Sequence, residues 1–264
     1  MTRYNYTSQG LNKDKFDGYV VSYPKSGRTW VRTFIFKYFS ILESRDFTFN
    51  ASDFDKIPNL YFTHDIWENK IAWSVWDRIR GKGMVPKGEE NTKPLILIAR
   101  DPRDVVVSLF FHMQKRLKNK RALAMNLSQF ISDKKFGLPM IIDTMNQWCY
   151  EWSGANHFYL FRYEDMRKNP QKAFSKMLKC LHVPITSKPF EEALAFSDFR
   201  NVKKLESNGA FTISELSASD TNDSDSFKAR RGVVGGYLDY FSEDDLEFSN
   251  NLMTKLDPVY KYLG

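Results

Sequence analysis

The 264-residue sequence predicts a single α/β domain: a central parallel β-sheet flanked by helices. Three observations carry that prediction. Three short runs are apolar without alternation: Tyr19-Val20-Val21-Ser22-Tyr23, Leu95-Ile96-Leu97-Ile98-Ala99 and Phe158-Tyr159-Leu160-Phe161. Continuous apolarity marks strands covered on both faces. Helical periodicity follows the first two runs most clearly, and strands alternating with helices build parallel sheets. The composition, 42% hydrophobic and 27% charged, is that of a globular chain long enough to bury a core without disulfides. A disordered, fibrous or disulfide-scaffold protein is excluded, and the reading takes 1–264 as one domain.

The elements follow in chain order. The start, Met1-Thr2-Arg3-Tyr4-Asn5-Tyr6, is polar and shows no signal peptide. After the first strand, Gly27 to Ile41 carries Trp30, Val31, Phe34, Ile35, Tyr38 and Ile41 at helical spacing. Residues 67–90 hold Trp67, Trp73 and Trp76, then the Gly81-Lys82-Gly83 and Pro86-Lys87-Gly88 breaks. After the second strand, Pro102 to Leu117 is apolar almost all round and predicts a buried helix, with Asp101 as N-cap and Pro102 at its first position. The stretch 207–226 is rich in Ser, Asp, Asn and Thr and reads as a flexible loop. Ser242-Glu243-Asp244-Asp245 reads as a helix start of the capping-box kind, with Asp in place of the usual Glu.

Charge and cysteine content narrow the function. The balance of 39 Lys plus Arg against 32 Asp plus Glu gives +7, which suggests an anionic partner. The run Lys115-Arg116-Leu117-Lys118-Asn119-Lys120-Arg121 admits a nucleic-acid-binding reading. Its place at a helix C-terminus makes a solvated basic face the plainer one, so no nucleic-acid partner is expected. Cys149 and Cys180 read as buried small hydrophobes in a reducing compartment. No apolar run approaches the roughly 18 residues that span a bilayer, so the expectation is a cytoplasmic protein with no membrane partner.

The sharpest motif is Tyr23-Pro24-Lys25-Ser26-Gly27-Arg28-Thr29-Trp30, between a buried strand and a helix start. That placement aims backbone N–H groups and the positive helix end at one point, where a phosphate fits. Gly27 allows close approach, Ser26 and Thr29 add hydroxyls, and Lys25 and Arg28 add charge. The motif is P-loop-like but lacks the second Gly followed by Lys and Ser or Thr that nucleotide triphosphatases require. A magnesium-dependent phosphotransferase is the enzyme alternative, with Asp101 and Asp104 as the carboxylates to consider, although Asp101 is better explained as the helix cap.

Two further pieces point to anions. Arg100 leaves the second predicted strand at its carboxyl end, where open α/β sheets bind ligands, and Ser108 lies two turns into the next helix. Its hydroxyl either bonds back to its own helix or points at a ligand. Arg230-Arg231-Gly232 offers two guanidinium forks and a bare backbone N–H, or else a solvated basic turn.

Together these pieces resemble the cytosolic-type sulfotransferases, from about residue 16 to 245. That family has a Tyr-Pro-Lys-Ser-Gly-Thr-Thr-Trp loop for the 5′-phosphosulfate of 3′-phosphoadenosine 5′-phosphosulfate; here Arg28 stands where Thr is usual. The resemblance implies that Lys25, Ser26, Gly27, Arg28, Thr29 and Trp30 hold the donor. Arg100, Ser108, Arg230, Arg231 and Gly232 are the implied 3′-phosphate contacts, with Arg231 replacing the family's Lys. Tyr163, within Tyr163-Glu164-Asp165-Met166, and Ser197 and Phe199 are the implied adenine contacts, with Trp30 stacking on the base. The product would be 3′,5′-adenosine bisphosphate, and no metal is implied.

His64, in Phe62-Thr63-His64-Asp65, resembles the base-bearing strand end of the family, with Phe62 in place of its Lys. The implied roles are His64 as general base, Lys25 as leaving-group stabiliser and His112 on the acceptor side; Trp67, with Trp73, Trp76 and Phe111, reads as an aromatic acceptor lining or equally as core packing. His157 and His182 read as structural. Asp53, Asp55, Asp65 and Glu68 lie near that side and read as a solvated acidic face. The implied acceptor is a small molecule presenting a hydroxyl or an amine. The family's dimer signature is absent, which leaves the oligomeric state open.

Overall fold

The computed structural model describes residues 15–72, 74–207 and 231–262. Four parallel strands form its sheet: β1 (Gly18–Ser22), β2 (Leu60–Thr63), β3 (Leu95–Ala99) and β4 (Phe158–Arg162), in the order β2-β1-β3-β4. The apolar runs locate β1, β3 and β4, whereas β2 is too short to stand out. β1 and β3 are buried throughout, and β4, at the edge, buries fully only Phe161. The third run therefore forms the predicted strand with less cover than continuous apolarity implied.

The helices are α1 (Arg28–Leu42), α2 (Asp65–Ala72), α3 (Val75–Ile79), α4 (Pro102–Phe111), α5 (Lys120–Leu123), α6 (Leu127–Ser132), α7 (Leu138–Trp152), α8 (Tyr163–Lys168), α9 (Pro170–Cys180), α10 (Ser187–Ser197), α11 (Phe199–Ser207) and α12 (Glu243–Met253). Side-chain alternation along the strands divides the core in two. Tyr19, Val21, Leu95 and Leu97 meet α4, α6, α7 and α12 on one face. Val20, Ile96 and Ile98 meet α1, α9 and α10 on the other.

Several local expectations hold. Asp101 caps α4 by accepting from the Arg103 backbone N–H at 2.9 Å, with Pro102 beginning the helix. Ser242 and Asp245 close a reciprocal capping box. Cys149 and Cys180 are buried and unpaired.

The long helix predicted over 102–117 is interrupted. Its α-helical part ends at Phe111, and His112–Arg116 winds as a π-helical turn, with the Leu117 N–H bonded five residues back to the His112 carbonyl. The basic run beyond it is not a uniform solvated face: Arg116 pairs with the buried Glu206, and Arg121 with Asp133. Ser207 ends α11, and the rest of the 207–226 loop lies outside the described residues. Among the described residues no helix is long and apolar enough to cross a membrane.

Candidate active site

Parallel strands end on one edge, so residues just past their last positions gather there. Tyr23, His64, Arg100 and Tyr163 each directly follow one of the four strands. The order β2-β1-β3-β4 sends the chain from β1 to one side and returns it to the other, which makes the carboxyl ends of β1 and β3 a topological switch point. The loop after β1 and Arg100 after β3 flank that crevice.

The β1–α1 loop is built for close approach. Lys25 and Gly27 both have positive φ, 74° and 105°. A Cβ at Gly27 would lie 2.9 Å from Tyr163 Cδ2, so both conformation and space demand glycine. Gly27 also forms the N-cap of α1 with no side-chain cap, and the first turn carries no acid. Ser26 is 1% exposed, and among the described residues neither its Oγ nor Trp30 Nε1 has a hydrogen-bond partner. Buried polar groups left unpaired cost about 1–3 kcal/mol each. Such orphans beside an uncapped helix start fit an anion with several acceptor oxygens.

Across the crevice, Arg100 is held by several partners. Its Nη1 donates to the Lys25 carbonyl at 3.2 Å and its Nη2 to the Val233 carbonyl at 2.9 Å. The guanidinium lies 4.6 Å from the Tyr163 ring centroid, and its buried Nε has no partner among the described residues. Asp104 sits 3.5 Å from Nη2, and burial pushes its carboxyl upward against the opposing pull of Arg100. Asp104 also accepts from the Gly235 and Tyr237 N–H groups at 2.9 and 3.0 Å. A Cβ on Gly232 would lie 2.6 Å from the Phe199 ring, so the backbone at Gly232 lies against that aromatic.

Aromatic and cationic groups continue from there. Trp30 meets Tyr163 edge-on at 6.0 Å, and the Arg167 guanidinium lies 5.8 Å from Trp30 and 5.7 Å from Phe199. Guanidinium groups near ring faces are attracted by the ring quadrupole.

His64 ends β2 beside this crevice. Its Nδ1 lies 2.7 Å from the Ser22 carbonyl, which can only accept, so Nδ1 carries the proton and Nε2 is the basic nitrogen. The Trp67 ring stands edge-on at 5.7 Å from the imidazole and at 6.0 Å from Tyr23. The next residue, Asp65, is buried rather than part of a solvated face. It accepts from Trp148 Nε1 at 2.8 Å and from the Val85 N–H, and burial pushes its carboxyl up to about 7.

A family model described as "Sulfotransferase domain" matches residues 16–257. The chain belongs to the sulfotransferase family. Among its relatives is an amine sulfotransferase of Oryctolagus cuniculus, 25% identical over 239 residues, covering 88% of this chain and 77% of the relative. A flavonol 3-sulfotransferase of Flaveria bidentis is 20% identical over 252 residues, with 90% and 80% covered. The crystal structure of a mouse sulfotransferase complexed with PAP matches the fold at a TM-score of 0.64 and 19% identity, over 96% of this chain and 89% of that one.

This sulfotransferase gathers most of the residues singled out from its sequence. Lys25, Ser26, Gly27, Arg28, Thr29 and Trp30 form the loop and first turn at the crevice, with Arg100, Tyr163, Phe199 and Gly232 around it. Ser108 is half-buried on α4, where its carbonyl accepts from the His112 N–H. Two residues sit differently. Ser197 is buried and donates to the Leu194 carbonyl at 3.3 Å, and Arg231 turns to Asp239. Arg230 lies outside the described residues. His112 begins the π-helical turn, half-buried. Arg167 and the dual role of Asp104 escaped sequence reading. The signal for Arg167 is its spacing, one helical turn after Tyr163 on α8.

Proposed function

We propose that this sulfotransferase moves the sulfuryl group of 3′-phosphoadenosine 5′-phosphosulfate to a hydroxyl or amine of a small-molecule acceptor, releasing 3′,5′-adenosine bisphosphate. One observation carries the reading: the orphaned Ser26 hydroxyl and uncapped α1 start lie one strand away from His64, which is locked to the Ser22 carbonyl. The bound donor supplies an activated sulfuryl group on a phosphate leaving group.

The protein's part is to position and to manage charge and protons. Lys25, Ser26, Arg28, Thr29 and the Gly27 backbone bind the 5′ end, and Lys25 offsets charge gathering on the leaving oxygen. Arg100, Ser108 and Arg230-Arg231-Gly232 bind the 3′-phosphate; Trp30, Tyr163, Ser197 and Phe199 flank the base. His64 Nε2 takes the acceptor's proton, and Trp67 and His112 border the acceptor. The printed activities of the amine and flavonol relatives support nitrogen or oxygen acceptors. The PAP-bound mouse neighbour supports the donor. A cytosolic place is supported by an Arabidopsis thaliana relative named cytosolic sulfotransferase 10. The whole chain is read as one catalytic domain, and no step is routed through a metal.

Thermal shift followed by transfer of labelled sulfate tests the reading. Adenosine 3′,5′-bisphosphate at a hundredfold excess over its dissociation constant stabilises the fold by about 2.7 kcal/mol. No response to it, beside a clear response to ATP with Mg²⁺, overturns the proposal in favour of a phosphotransferase.

A further inference from the structure

The β3–α4 junction contains a carboxylate that neither caps its helix nor faces solvent. Asp104 is 3% exposed, in the first turn of α4, whose cap is Asp101. A carboxylate at that position gains from the helix dipole, but burying it requires other partners. All of those partners come from the crevice: the Gly235 and Tyr237 N–H groups on its two oxygens, and Arg100 Nη2 at 3.5 Å. The same Nη2 donates to the Val233 carbonyl, and Nη1 to the Lys25 carbonyl. One carboxylate and one guanidinium thus bind residues 233–237 to the phosphate loop, and Gly232 lies against Phe199 just before them.

We propose that Asp104 is a positioning residue that makes 3′-phosphate recognition depend on the docking of residues 231–237 onto Arg100. This rests on the donor assignment above. Without Asp104, two backbone N–H groups lose their acceptor and Arg100 loses the carboxylate that fixes its orientation. Gly232, which lies against Phe199 at the start of this segment, then loses its anchor. Asp104 does not touch the nucleotide; it acts through Arg100 and the segment's backbone. The coupling is reciprocal, so a ligand that engages Arg100 through its 3′-phosphate must also tighten the segment.

The test compares adenosine 3′,5′-bisphosphate with adenosine 5′-monophosphate, by titration calorimetry on wild type and Asp104→Asn. The expected result is a loss of about 10- to 100-fold for the bisphosphate and a change of about twofold or less for the monophosphate. The donor KM rises while kcat at saturating donor is kept. Equal weakening of both nucleotides, or none, overturns the proposal. A measurement on wild type alone guards against a variant that fails to fold: the bisphosphate slows hydrogen exchange at the Gly235 and Tyr237 amides, and the monophosphate does not. Equal protection by both, or by neither, overturns it as well. If wild type binds neither nucleotide, the donor assignment fails instead.

Discussion

Two strand–helix junctions face each other across the crevice, and they treat their polar groups in opposite ways. At β3–α4 most groups are satisfied by the protein, with Arg100 Nε left open among the described residues: Asp101 accepts from the Arg103 N–H, its own N–H donates to Glu164, and Asp104 takes two backbone donors. At β1–α1 the helix starts with no side-chain cap, Ser26 Oγ and Trp30 Nε1 lack partners among the described residues, and the backbone turns through positive φ at Lys25 and Gly27. Both follow fully buried central strands, so the difference does not come from the sheet. Buried groups left open at either junction are where a ligand can be received, and groups closed by the protein itself hold the frame. The β2–α2 junction lies between these extremes: His64 is tied to a carbonyl while Asp65 is a buried, bonded carboxylate.

The largest effect should come from His64, the group at that third junction assigned to the reaction itself. His64→Ala lowers kcat by about 10²–10⁴, as loss of a positioned base does, while adenosine 3′,5′-bisphosphate affinity stays within about twofold. Near-normal turnover with the true acceptor would place the base elsewhere and detach the β2 end from the site.

Asp65 gives the next effect, seen in stability against pH. Burial raises its carboxyl from the ordinary value near 3.8 to about 7, so the folded state holds this proton more tightly than the unfolded chain. Its contribution to stability is therefore greatest below about pH 4, is lost as pH rises through about 7, and is constant above; the change is on the order of a few kcal/mol. Relative to wild type, Asp65→Asn gains stability over that window, because the amide does not titrate. Denaturant unfolding of both proteins at about pH 5 and about pH 8 measures it, and an unchanged difference refutes it.

The smallest effects oppose the two junctions directly. Ser26→Ala removes an unpartnered buried hydroxyl, so stability is unchanged or slightly raised, while adenosine 3′,5′-bisphosphate binding weakens roughly tenfold or more. Asp101→Ala removes a cap, which costs about 1 kcal/mol of stability. Nucleotide binding then changes little. Melting curves with and without nucleotide separate the two; a stability loss in Ser26→Ala matching that in Asp101→Ala erases the distinction.

The amino-acid sequence by itself determined what depends on neighbours along the chain. The β1–α1 loop, the Asp101 cap, the Ser242–Asp245 box and three of the described strands were legible, because caps, glycine turns and apolar runs are written within a few residues. Tertiary structure decided whatever depends on partners far away in sequence. Asp65 read as one of a solvated acidic group, but its oxygens meet Val85 and Trp148, 20 and 83 positions on. Asp104 was considered for magnesium, and its partner Tyr237 lies 133 positions away. β2 showed no apolar run of its own and was placed only through the resemblance of residues 62–65 to a strand end, because a four-residue edge strand carries too little pattern; it joins the sheet through its pairing with β1. A carboxylate's solvation and a short strand's pairing are set by the groups that close around them, and those groups come together only when the chain folds.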